Sequence, residues 1–165
     1  MYNGFYCEYY ENNQTMNNDE FLKMLDSVED EINIDSENGS NFVSVASFLL
    51  GFCYHLASYF REKYGYKQEL IVDREGYLVH SYCVFENAGH KYFIDSRGIT
   101  DNRDLFFGLF EYAMDNSKIL NISDLSDKKV FEEKNFIVFD EISDSMIEWL
   151  VNSFDYYNIH DVIRS

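Results

Sequence analysis

The chain has 165 residues, 46% of them hydrophobic and 18% aromatic, which suits one domain with a full core and excludes intrinsic disorder. Its formal net charge of -17 opposes contact with phosphate backbones, so direct nucleic-acid binding is not expected. No apolar run reaches bilayer-spanning length, Met1 to Glu8 lacks the regions of a signal peptide, and three cysteines form no disulfide pattern; a cytoplasmic protein free of membrane is expected.

In chain order, residues 12–18 are polar and turn-like. From Asp19 to Ile32, Phe21, Leu25, Val28 and Ile32 recur every three or four residues, which predicts an amphipathic helix capped by Asn18 or Asp19. Asp35 to Ser40 reads as a loop with a Gly stop. Val43 to Tyr64 reads as helical, open to interruption at Gly51, with Gly65 as the C-cap. Three short strands follow, Glu69 to Asp73, Tyr77 to Phe85 and Lys91 to Asp95, joined by turns at Arg74-Glu75-Gly76 and Asn87-Ala88-Gly89. A helix is expected from Asn102 to Met114, capped by Asp101 and buried through Leu105, Phe106, Leu109 and Phe110. A charged loop then leads to a strand at Phe136 to Phe139 and a last helix at Ser145 to Phe154. Helices, then antiparallel strands, then helices give an α+β class, with helices packed on a small antiparallel sheet. Residues 1–165 read as a single domain: no Pro, no repeat and no linker divides them.

Cys53, His80 and Asp95 are the residues in this frame that carry chemistry. A thiol, an imidazole and a carboxylate together can form a nucleophile, a proton shuttle and a group that orients the shuttle. If the strands form a hairpin with Phe85 opposite His90, then His80 opposes Asp95, Tyr82 opposes Phe93 and Val84 opposes Lys91, all on one face. A slip of one residue would put His80 and Asp95 on opposite faces. Cys53 is expected from a helix packed on that same face. If Gly51 interrupts the helical run, Cys53 falls in the first turn, where orphan N–H groups and the helix dipole favour a thiolate. Each residue also has a plainer reading: Cys53 as a small buried hydrophobe, His80 as a satisfied core histidine, Asp95 as a turn former or a partner of Arg97. Cys83 alternates away from His80 and reads as core. No Cys-x-x-Cys and no Gly-rich phosphate loop is present, so neither a metal nor a cofactor is expected.

Gly51-x-Cys53-x-x-x-Ala57, His80 within a strand, and Tyr92-x-x-Asp95-x-Arg97-Gly98 together resemble the core of transglutaminase-like cysteine enzymes, in the wider papain-like group. The likeness is strongest to small bacterial and phage versions and covers residues 43–110, with N- and C-terminal additions outside it. It implies Cys53 as nucleophile, His80 as general base and acid, and Asp95 as the residue orienting His80. It also implies thioester chemistry on amide or acyl bonds: peptide hydrolysis, deamidation or acyl transfer, on a protein or peptide substrate. The family often has an aromatic residue directly after the His, where this chain has Ser81-Tyr82. Gly51, Tyr82 and Arg97 are therefore candidate site-shaping residues, Arg97 more as partner of an internal acid than of a substrate carboxylate.

The acidic composition supports a second reading. A non-enzymatic inhibitor from a phage or mobile element could mimic nucleic acid and block the basic groove of a nuclease or other nucleic-acid-binding protein, acting in the host cytoplasm as an anti-defence factor. The acids are scattered, as at Glu29-Asp30-Glu31, Asp124, Asp127, Glu132-Glu133 and Asp140-Glu141, a pattern that also serves plain solubility. Neither reading fixes an oligomeric state.

Overall fold

The computed structural model describes residues 33–36, 39–42, 52–135, 147–148, 151 and 157–159. The expected helix at Asp19 to Ile32, the strand at Phe136 to Phe139, Gly51 and the stretch before it lie outside them. Where a loop was expected at Asp35 to Ser40, strands β1 (Asn33–Ser36) and β2 (Gly39–Phe42) form an antiparallel pair.

Helix α1 (Cys53–Tyr64) buries Cys53, Leu56, Ala57 and Phe60, the three-and-four spacing of one helical face. Gly65 ends it in the left-handed conformation, φ 75°, its N–H donating to Arg61 O. Five strands follow the helix into one sheet of order β6-β5-β4-β3-β7: β3 (Lys67–Val72), β4 (Leu78–Asn87), β5 (His90–Asp95), β6 (Gly98–Thr100) and β7 (Lys118–Asn121). All its neighbours are antiparallel. The α+β class holds.

The β4–β5 register differs from the expected one by two residues. Val84 pairs Phe93 and Asn87 pairs His90, so the connection is the two-residue turn Ala88-Gly89. Both turn residues have positive φ, 51° and 80°, the conformation that matches the right-handed twist of a hairpin. Because the displacement is even, every side chain keeps its expected face. Ala88 carries a Cβ in a region L-residues avoid. Ala88→Asn is expected to raise stability by about 0.5–1 kcal/mol, read as an upward shift of the thermal midpoint, since Asn tolerates this conformation.

The two faces of the sheet are covered differently. On one, α1 packs against β4, and the Cys83 thiol donates to Ala57 O at 3.2 Å. On the other lie α2 (Arg103–Gly108) and α3 (Glu111–Met114), which lead the chain from the β6 edge toward β7 at the opposite edge. There Phe106 contacts Tyr82 and Phe93, each at 5.0 Å between ring centroids. The expected single helix from Asn102 to Met114 is thus two, interrupted after Gly108, a poor helix former. Its cap is Asn102 rather than Asp101, the Asn102 side chain accepting from Leu105 N. The expected charged loop contains β7 and α4 (Lys128–Asn135). Lys128–Glu132 and Lys129–Glu133 pairs one turn apart support α4. Of the expected last helix, residues 147, 148 and 151 are helical, with Ile147 and Val151 in the core. Among the described residues no helix is long and apolar enough to cross a membrane.

Candidate active site

Three features of the backbone bring the site together. Cys53 is the first residue of α1, so the helix does begin at the thiol. β5 ends at Asp95, and its pairing with β4 is recorded as far as Cys83↔Ile94, leaving the edge of β4 near Ser81 beyond that pair. β4 also carries a bulge: Ile71 pairs His80 while Val72 pairs Leu78, so Val79 is extra, and the strand bends directly before His80. Bulges re-aim the neighbouring side chain in this way.

The sulfur of Cys53 fills the open edge, and the Ser81 N–H donates to Sγ at 3.4 Å. It lies in a seam with Leu56, Ala57, Phe60, Ser81, Tyr82, Ile94 and Asp95 that leaves no space a water molecule could occupy. The expectation that α1 packs on the face bearing His80 and Asp95 is corrected here. α1 covers the opposite face, and its first turn reaches the other two residues through the gap where β5 ends.

His80 is wholly buried. Its Nε2 meets Asp95 Oδ2 at 3.1 Å, and the ring stacks on Phe110 at 4.2 Å and lies over Tyr82 at 5.9 Å. The pair is diagonal across the strands rather than directly opposed, and a ring spans that distance. With Nε2 engaged by Asp95, Nδ1 is the ring nitrogen left for the thiol; it has no hydrogen-bond partner among the described residues. Burial alone would lower the His80 pKa. The hydrogen bonds and charges of Asp95 and Cys53 outweigh burial and raise it.

Asp95 is anchored from the opposite side by Arg97. The Arg97 backbone N–H donates to Oδ1 at 2.8 Å, Nε reaches both carboxylate oxygens, and an η nitrogen donates to Oδ2 at 2.7 Å. The same nitrogen donates to Phe106 O at 3.1 Å, and the guanidinium lies over the Phe106 ring at 4.7 Å. Burial pushes the Asp95 carboxyl up, but the Arg97 charge and the bonds from His80 and Arg97 prevail and hold it at about 2. Asp95 therefore stays ionised through the physiological range and favours an imidazolium beside it.

The site-shaping candidates resolve unevenly. Arg97 is completely buried and serves the internal acid, so it is not available to a substrate carboxylate. Tyr82 is equally buried and donates to Glu69 Oε1 at 2.9 Å; it supports the His80 ring from the core instead of lining an open cleft. Gly51 lies outside the described residues. Cys83 sits on the α1 face, and burial pushes its thiol pKa up. Among the described residues no three His, Cys, Asp or Glu side chains are grouped to hold a metal ion. Sequence reasoning missed Gln68 and Ser81, which join α1 to β4. The available signal was a glutamine sharing strand parity with Leu70, hence a polar group facing the core.

No family model, curated protein or solved structure matches this chain.

Proposed function

We propose that this chain is a thiol-dependent enzyme acting on an amide or acyl bond of a protein or peptide, with Cys53 as nucleophile, His80 as base and acid, and Asp95 as the residue that orients His80. The observation that carries the reading is the convergence of three separate elements: the Cys53 sulfur held by the Ser81 N–H, the adjoining His80 ring, and the ionised Asp95 carboxylate that meets that ring and lines one seam with Cys53. A helix opening on the cysteine, followed by antiparallel strands bearing the His and Asp, is similar to a transglutaminase-like core and supports the same roles.

In this mechanism His80 Nδ1 takes the thiol proton as Sγ attacks the carbonyl carbon. The imidazolium, favoured by Asp95, then gives that proton to the departing amine as the carbon–nitrogen bond breaks. The resulting thioester is resolved by water in hydrolysis or deamidation, or by an amine in transfer. Since the seam holds no water-sized space, substrate must displace part of its cover.

Alkylation with iodoacetamide near neutral pH tests the proposal, with labelled sites read by peptide mass spectrometry. Cys53 is expected to react well ahead of Cys83, whose thiol is buried and held protonated. His80→Gln is expected to slow Cys53 labelling by about 10²-fold or more, the usual scale of a positioned base. Equal labelling of the two cysteines, or indifference to His80→Gln, would exclude the enzymatic reading. The net charge of -17 motivates the second reading, an acidic inhibitor of a basic protein, which predicts salt-sensitive binding to such a partner and no dependence on Cys53.

A further inference from the structure

The start of α1 poses a mechanical problem. Its N-cap position is Phe52, whose side chain supplies no hydrogen bond of the kind that Ser, Thr, Asp or Asn gives a first turn. Yet the sulfur must be held against the His80 ring, which is fixed from another strand.

Gln68 bridges the two parts. It is fully buried on β3, and its Nε2 donates both to Tyr54 O in the first turn of α1 (3.4 Å) and to Ser81 Oγ on β4 (3.0 Å). Its Oε1 accepts from the Ser58 hydroxyl at 3.3 Å, one turn further along α1. Ser81 in turn donates from its hydroxyl to Glu69 O, at 3.2 Å, and from its backbone N–H to the Cys53 sulfur. One carboxamide thus joins the helix that carries the nucleophile to the residue adjoining His80. A buried amide with both donors and its acceptor engaged has one orientation, so it transmits position as well as affinity.

We propose that Gln68 is a positioning residue of this site, tying the first turn of α1 to β4 and so setting the separation of the Cys53 sulfur from the His80 imidazole. The inference rests on the proposed roles of Cys53 and His80 for its bearing on catalysis, but the tether itself is a matter of geometry.

Two readouts test it on the full chain: the rate of Cys53 alkylation by iodoacetamide, and the titration of His80 followed by NMR of its ring nitrogens. Gln68→Leu removes the carboxamide. Ser81→Ala removes one of its anchors, keeps the Ser81 backbone N–H, and provides a milder variant should Gln68→Leu fail to fold. Ile99→Val, a core change on β6 distant from the tether, controls for lost stability alone. Gln68→Leu is expected to slow Cys53 labelling on the order of tenfold or more, as misplacement of a reacting group does. It is also expected to move the His80 titration downward, in the direction that Cys53→Ala moves it, because the sulfur's contribution is what weakens. Ser81→Ala should follow with a smaller effect, and Ile99→Val should leave both readouts at their wild-type values.

Wild-type labelling and an unmoved His80 titration in both tether variants would overturn the proposal, leaving Gln68 a purely structural group. A different pattern marks failure of the enzymatic reading. In that case wild-type Cys53 labels slowly whether or not His80 is present, while the tether variants still move the His80 titration.

Discussion

Replacing Arg97 with methionine is expected to cost about 3–5 kcal/mol of stability, the loss typical of removing one partner from a buried ion pair. The guanidinium is fully buried and is bonded to both oxygens of Asp95 and to Phe106 O, so its removal leaves a carboxylate in the core with His80 as its remaining side-chain partner among the described residues. Urea unfolding at several pH values is the measurement. Asp95 is held at about 2 in the fold against an ordinary 3.8, so its stabilising contribution is complete above the ordinary value and is lost as pH falls toward 2. His80 has the opposite sense. Its raised pKa contributes stability that is full below 6.5 and is lost as pH climbs through the raised value. Wild-type stability from this network is therefore greatest between about 4 and 6.5. In Arg97→Met the acid limb is expected to move upward, because the Asp95 carboxyl loses the charge that lowered it. A loss under about 1 kcal/mol, with the acid limb unmoved, would show that Arg97 is not what holds Asp95 ionised.

Cys53→Ala is expected to separate chemistry from folding. Acylation of the protein by an activated ester such as p-nitrophenyl acetate, read by intact mass, should fall by at least about 10³-fold, the scale on which removing a nucleophile acts. Stability should fall by only about 1–2 kcal/mol, comparable to deletion of one small buried group and a weak hydrogen bond. Cys53 is 3% exposed, and the bond its sulfur accepts from Ser81 N–H is a long one, so little of the fold depends on the sulfur. Undiminished acylation of Cys53→Ala would assign the chemistry to another group.

The parts of the fold written in local pattern were legible in the sequence. The end of α1 at Gly65, the strand sequence around β4 and β5, and the shared face of His80 and Asp95 all follow from periodicity and turn residues. The expected hairpin register is two residues out because Glu86 and Asn87 resemble loop residues by type but pair with Lys91 and His90; positive φ at Ala88, unusual for alanine, carries no sequence signal. β7 was missed since four residues with two apolar positions make a weak strand, and only the edge of β3 gives them a partner. α4 likewise stands where a charged loop is expected, although a glutamate follows each of two lysines there by four residues. At the site, the residue types were visible, but the route of Cys53 was not. No local rule states where β5 stops or that Val79 bulges, and those two facts decide how a helix on one face meets an imidazole on the other.

Asp95 has two neighbours with unequal duties. Arg97 grips it through both oxygens whereas His80 meets Oδ2, and none of these bonds is made by the sulfur. A lineage that exchanged its thiol for a methyl group would therefore keep the ionic knot, the stacked aromatics and the sheet almost unaltered. Selection for shape could preserve such a descendant long after selection for turnover had lapsed, and the architecture would give no outward sign of the change.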